Sequence, residues 1–225
     1  MTKPRFRLTG NQLKIIAMLA MTADHVGLQL LPQWGFLRIL GRLAMPLYAY
    51  MIAEGARYTR SRPRYFAGIA LMGLACQIVY FFFMGSLYQC ILITFSLSLG
   101  LIFFLDRAKW KLPAAILGIV TVYFLTAILP TLLPRTDFRI DYDFWGVMLP
   151  VLIYLGKDRK KALLLTAVGT ILLALHFGGN QWYGLLTLPL LALYDGTRGK
   201  ANIKRLFYLY YPAHLAAIYL LSLVF

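Results

Sequence analysis

Apolar residues run in long blocks along the chain, and basic residues gather in the gaps between them. The blocks fall near residues 12–31, 36–56, 65–84, 88–106, 112–133, 143–156, 162–177, 181–195 and 206–225. None alternates apolar and polar positions, the pattern that a membrane-spanning barrel requires. Most have the length, roughly 20 residues, that an α-helix needs to cross a bilayer. The pattern predicts an all-α, polytopic transmembrane helical bundle of about nine helices, with residues 1–225 as a single domain. The sixth to eighth blocks are short for a hydrocarbon core of about 30 Å, so burial by neighbours or a partly re-entrant course is expected there.

Composition sharpens this picture. Hydrophobic residues make up 60% of the chain, against roughly 45–50% in a soluble domain. The opening MTKPRFR is basic, as in a signal peptide, but the apolar stretch continues past Ala23 without a small-residue cleavage site. An uncleaved first helix is expected. The net charge of +15 would suit a nucleic-acid binder, but its distribution excludes that class. Of the 23 Lys and Arg, 19 fall on one side of a nine-helix arrangement. They cluster at Lys3–Lys14, Arg57–Arg64, Arg107–Lys111, Lys157–Lys161 and Arg198–Arg205. The positive-inside rule makes that side, and the N-terminus, cytoplasmic. Contact with anionic membrane lipids follows from the same charge. Cys76 and Cys90 lie far apart in or beside apolar blocks and form neither a disulfide framework nor a zinc signature. No metal is expected.

The chemistry-bearing residues are few. The first block, LKIIAMLAMTADHVGLQLL, carries Lys14, Asp24 and His25. Lys14 and His25 are eleven positions apart, so they share a helix face about 16 Å apart along the axis. Asp24 points about 100° away from His25, toward a neighbouring helix. An ionisable group at membrane depth costs at least ~2.5–3.5 kcal/mol, so it is either paired or functional. A neutral His25 can accept a proton near physiological pH. In the second block Arg38 and Arg42 share a face. Arg42 can pair with Asp24 or hold developing negative charge. Arg38, nearer the outer interface, can bind there or snorkel. Glu54 is set to pair with Arg57 at i+3. His176, in LHFGGNQWYG, is either an acceptor-binding group or an interfacial histidine in an aromatic belt. His214 follows Pro212 within one turn, near mid-membrane, which marks a kinked, polar position. The turn LYDGTRGKANIKR offers Arg198 and Lys200 to phosphate groups, although the positive-inside rule alone accounts for its charge. No zincin motif, nucleophile elbow, P-loop or Rossmann fingerprint is present.

Five stretches, LKIIAMLAMTADHVG, GRLAMPLYAYMIAEGARYTR, ILITFSLSLGL, DYDFWGVMLPVLIYL and LYDGTRGK…KRLFYLYYPAHL, run in order over nearly the whole chain. In them the chain resembles the TraX family of integral-membrane acetyltransferases. It is also similar to the transmembrane acyltransferase superfamily, whose first helix carries a basic residue, ten intervening positions and a histidine. Lys14 and His25 match that spacing. Met45 stands where the family commonly has Phe before the proline of the second helix.

The resemblance implies acetyl-CoA as donor and His25 as the central catalytic residue. It implies acetyl transfer to a hydroxyl or amine of a cell-envelope acceptor, whether glycan, polymer, lipid or pilin-like N-terminus, in a bacterial plasma membrane. Lys14, Arg57, Arg198 and Lys200 would then neutralise the donor's phosphates at the cytoplasmic side. Asp24 and Arg42 would organise the site, and His176, Arg38 and His214 would meet the acceptor, entering near the 135–146 loop. The rival class is a small permease or exporter subunit using the same intramembrane polar site; a membrane scaffold is a third.

Overall fold

The computed structural model describes residues 7–201 and 203–223, without the side chains of Lys204, Arg205, Phe207 and Tyr208. Among the described residues eleven α-helices follow one another: α1 (Gly10–Gln29), α2 (Gly35–Gly41), α3 (Ala44–Tyr58), α4 (Arg62–Met84), α5 (Ile91–Arg107), α6 (Lys111–Tyr123), α7 (Leu129–Leu132), α8 (Asp143–Leu155), α9 (Arg159–Phe177), α10 (Thr187–Ala192) and α11 (Lys204–Ser222). A π-helical turn, Phe124–Ile128, joins α6 to α7, and a 3₁₀ segment, Gly179–Leu186, leads into α10. Among the described residues strand pairing is confined to two isolated bridges, Leu8 with Tyr194 and Gln89 with Ile140. Each of the nine predicted apolar blocks has a helical counterpart.

The differences from the simple nine-span reading have local causes. The second block is two helices. Arg42 and Leu43 bond back to Ile39 and Leu40 at 3.2 Å, a 3₁₀-type step. Pro46 supplies no N–H for the carbonyl of Arg42, so the α-helical ladder cannot continue through that turn. Pro130 likewise has no N–H for Thr126, and the chain widens into the π-helical turn just before it. The eighth block is the 3₁₀ segment and α10, introduced by Gly178 and Gly179 in the left-handed region at φ 67° and 52°.

Among the described residues, four segments are long and apolar enough to cross a membrane: Gly35–Tyr58, Arg62–Met84, Lys111–Leu132 and Arg159–Phe177. The chain is a membrane protein. The seventh block, expected to be short, is the 19-residue α9. The sixth is short: 13 residues of α8 reach about 20 Å.

Contacts divide the chain into two compact units, Met1–Met51 with Thr166–Phe225, and Ile52–Leu165. In the first, α1 packs on α2 and α11, and α2 on the 3₁₀ segment. Its N-terminal end is closed by the 194–201 connection. Leu8 N donates to Leu193 O at 2.9 Å and Asp195 N to Leu8 O at 2.9 Å. Gly10 N and Asn11 N, whose groups open α1, donate to Thr197 O at 2.7 Å and Arg198 O at 3.0 Å. Thr9 and Gln12 form a capping box. The first-turn N–H groups of α1 are therefore occupied by protein.

In the second unit α5 is the hub, packed on α4, α6 and α8. Hydroxyls of the ILITFSLSLGL stretch stitch it to α8 and the turn before it: Thr94 Oγ1 donates to Asp141 O at 2.7 Å and Ser98 Oγ to Val147 O at 2.8 Å. The connection ahead of α8 is tied to the one ahead of α5, with Gln89 N on Arg139 O at 2.7 Å and Asp141 N on Gln89 O at 3.0 Å.

Candidate active site

The two adjacent ionisable residues of α1 face different partners in the first unit. Asp24 faces α2. Arg42 Nη2 donates to Asp24 Oδ1 in a direct ion pair. Arg38 Nη1 reaches Oδ2 at 2.9 Å and the Asp24 carbonyl at 3.2 Å. Two glycines permit this approach. A Cβ on Gly41 would collide with the Asp24 carboxylate, and one on Gly27 would lie 2.8 Å from Leu37 Cβ.

Arg42 is held at three of its nitrogens. Besides Asp24, its Nη1 donates to Gln181 Oε1 at 3.0 Å and its Nε to the Arg38 carbonyl at 3.3 Å. Gln181, on the 3₁₀ segment, is buried. Arg38 uses a single nitrogen and is the more open of the two, its side chain 29% exposed against 13% for Arg42. One carboxylate faces two guanidiniums, so the triplet carries a net positive charge.

His25 faces α11. Its Nδ1 lies 3.0 Å from His214 Nε2. The rings are 17° from parallel with centroids 5.1 Å apart, the arrangement of an in-plane, edge-to-edge hydrogen bond. On its far side His214 places Nδ1 2.9 Å from the Tyr210 carbonyl, one turn back on the same helix. The Tyr210 ring stacks on His214 with centroids 5.0 Å apart. The Tyr210 hydroxyl meets Thr22 Oγ1 and lies 3.2 Å from the Met18 carbonyl, which ties α11 to α1 just below the histidines. His214 is 7% exposed. Asp24, Arg38 and Arg42 all lie close enough to act electrostatically on His25.

The remaining expected residues divide. Lys14 is half-buried on α1 and Arg198 acts on it electrostatically, so these two gather where the 194–201 connection meets α1. Arg198 and Lys200 are exposed. Lys3 and Arg5 lie outside the described residues, as do the side chains of Lys204 and Arg205. Arg57 belongs to the second unit. Its Nη1 holds Glu54 at 2.8 Å, and its Nη2 holds the carbonyls of Ile153, Tyr154 and Gly156 at 3.3, 3.0 and 2.8 Å, the end of α8. His176 stands exposed at the end of α9, its ring edge-on to Phe177. Among the described residues, the side chains bonded to Asp24 and His25 are those of Arg38, Arg42 and His214, and not that of His176. No group of three or more His, Cys, Asp or Glu is placed to hold a metal ion among the described residues.

Three participants carried no role in the sequence reading: Gln181, Tyr210, and His214 as the partner of His25. Tyr210 and His214 are four apart and share a face of α11, which is the legible signal. Gln181 follows a glycine pair in an apolar run.

The model of the family described as TraX protein matches residues 9–222. The chain belongs to the TraX family. The match spans the whole polar cluster, from Asp24 on α1 to His214 on α11. Among curated relatives, the chain is 28% identical to a probable fimbrial assembly protein FimC, serogroup H1, of Dichelobacter nodosus, over 92% of this chain and 93% of the relative. It is 38% identical to an uncharacterized protein, RP591, of Rickettsia prowazekii (strain Madrid E), over 29% of this chain and 25% of that one. No solved structure matches.

Proposed function

We propose that this TraX-family protein is an integral-membrane acetyltransferase of the bacterial plasma membrane. It moves an acetyl group from acetyl-CoA to a hydroxyl or amine of a cell-envelope acceptor. The observation that carries this reading is the juxtaposition of His25 with a net-positive Asp24–Arg38–Arg42 triplet. An acyl transfer needs a base for the nucleophile's proton and a positive field for the oxyanion of the tetrahedral intermediate.

In the proposed reaction the acceptor oxygen or nitrogen attacks the thioester carbonyl while its proton passes to His25. The carbonyl becomes an oxyanion in the field of the triplet. The carbon–sulfur bond then breaks, the acetyl group remains on the acceptor, and the thiolate takes the proton back from His25 as free CoA. Arg42, held at three nitrogens, positions Asp24 and Gln181. Arg38, more open and held at one, is the guanidinium placed to meet the developing charge. No metal is required.

The distribution of Lys and Arg supports a cytoplasmic N-terminus. On that side Lys14, Arg198 and Lys200 are the groups assigned to the donor's phosphates. The occupied first turn of α1 limits phosphate binding there to side chains. Arg57 serves to close α8. The name of the Dichelobacter relative favours a subunit of a surface fibre as acceptor.

Purified protein in proteoliposomes should release free thiol from acetyl-CoA when membrane extract supplies acceptor. His25→Ala should lose ~10²–10⁴-fold in turnover, the contribution of a general base, while still folding, as read by circular dichroism. Full activity in that variant would remove His25 from the reaction. Movement of an acceptor across the vesicle with the thioester intact would replace the transferase by a permease.

A further inference from the structure

We infer that His214 is a positioning residue that fixes the tautomer of His25, leaving His25 Nε2 as the nitrogen that accepts the acceptor's proton. The inference rests on the acetyl-transfer reading for its chemistry, but its geometric part stands independently.

The chain of contacts ends at the Tyr210 carbonyl. A backbone carbonyl can only accept, so the nitrogen that bonds to it must carry the hydrogen. His214 Nδ1, 2.9 Å from the Tyr210 carbonyl, is therefore the protonated nitrogen of its ring. In a neutral ring the other nitrogen bears the lone pair, so His214 Nε2 is an acceptor. It faces His25 Nδ1 at 3.0 Å. Two lone pairs would repel at that distance, so His25 Nδ1 carries the hydrogen and donates it. His25 Nε2 is then the lone-pair nitrogen of its own ring. With both rings neutral there is one consistent arrangement: His25 Nδ1–H to His214 Nε2, and His214 Nδ1–H to the Tyr210 carbonyl.

The surroundings hold this arrangement in place. His214 is clamped between Tyr210 and Tyr211, with ring centroids 5.0 and 5.6 Å away. It is buried at 7% exposure, so water does not compete for its Nε2. The charged groups that act on His25 from other helices are Arg38 and Arg42, with Asp24 on its own helix. Among the described residues none of them hydrogen-bonds to a ring nitrogen of His25. His214 is therefore the group that decides which nitrogen of His25 bears the hydrogen.

The consequence for the reaction is directional. When Nε2 of His25 takes the acceptor's proton, the imidazolium keeps its Nδ1–H on His214, and the ring stays oriented while it carries the charge. The same proton then passes from Nε2 to the departing thiolate. With the opposite tautomer Nε2 already carries a hydrogen and cannot serve as base, the effect that makes a second-residue orienter matter in triad enzymes.

The test is nitrogen NMR on protein with ¹⁵N-labelled histidine, reconstituted in lipid at a pH where the rings are neutral. The chain has 3 histidines, and a His176→Gln sample removes one from the spectrum. In wild type, His25 should show a protonated Nδ1 and a bare Nε2. His214→Phe keeps a planar aromatic ring but removes the acceptor, and it should shift His25 toward the Nε2–H tautomer. Its kcat should fall by ~10²–10⁴-fold, with KM for acetyl-CoA unchanged. His214→Gln offers an amide oxygen to the same N–H and should restore the wild-type tautomer and most of the kcat. A wild-type His25 protonated at Nε2 would overturn the inference, as would a His214→Phe spectrum unchanged from wild type. The predicted tautomers in a protein without acetyl-CoA turnover would uphold the positioning and sink the transferase reading.

Discussion

Two arginine–carboxylate clusters, one in each unit, use the same side chains to different ends. In the second unit, among the described residues, Glu54 pairs with Arg57, and Asp106 with Arg62 at 2.6 Å, one carboxylate to one guanidinium. The remaining donors close backbone. Arg57 satisfies three carbonyls at the end of α8, and the Tyr154 hydroxyl completes Asp106 at 2.6 Å. In the first unit Asp24 faces both Arg38 and Arg42, the charges do not cancel, and the neighbouring His25 has one ring nitrogen outside the hydrogen-bond network of the described residues. A polar residue at membrane depth therefore says little by itself. A balanced cluster that ends on carbonyls is architecture; on the proposed reading, an unbalanced one beside a histidine is equipped for chemistry.

That contrast can be broken most forcefully at Asp24. Asp24→Leu leaves two guanidiniums facing each other, and uncompensated buried charge costs ~3–5 kcal/mol. Glu54→Leu leaves a single Arg57 still bonded to three carbonyls, a loss on the scale of one charged hydrogen bond, ~1.5–3 kcal/mol. Unfolding of both variants in detergent should rank them in that order; equal destabilisation would dissolve the distinction. Gly41→Ala is a milder probe. The added methyl meets the Asp24 carboxylate and should cost ~1–3 kcal/mol as overpacking. It should also lower acetyl transfer, because the triplet must part to admit it.

The smallest effect concerns the connection before α5. Ser86 and the Leu87 N–H donate to the exposed Asp137, which holds its carboxyl below the ordinary carboxylate value. A lowered pKa means the contribution is complete above the unfolded value of about 3.9 and is lost as pH falls through the folded value. Hydrogen exchange at the Leu87 amide should accelerate only in that acidic window.

Much of this was legible in the sequence, for identifiable reasons. Apolar blocks of spanning length become helices because the backbone must satisfy itself in lipid. The Asp24–Arg42 pair was readable because a short hairpin joins their helices. The second block reads as one span and Gly35–Tyr58 is one segment of spanning length, but the step at Arg42–Leu43 ahead of Pro46 divides it into two helices. Arg38 reads in the sequence as a residue that binds at the outer interface or snorkels, because sequence depth does not reveal that two side chains share one carboxylate. Arg57 was assigned to a ligand because its carbonyl partners lie 96 to 99 positions away in the chain. The meeting of His25 with His214, 189 positions apart, depends on how the first helix packs against the last. No periodicity within either helix encodes that.

The central claim is that His25 is the base of an acetyl transfer. Its most direct test is a single-turnover reaction of acetyl-CoA with purified wild type and His25→Gln, reading free CoA and acetylated acceptor together by mass spectrometry. Wild type should give equal amounts of both products, and the donor should remain intact with the variant. Acetylated acceptor formed by His25→Gln at the wild-type rate would contradict it.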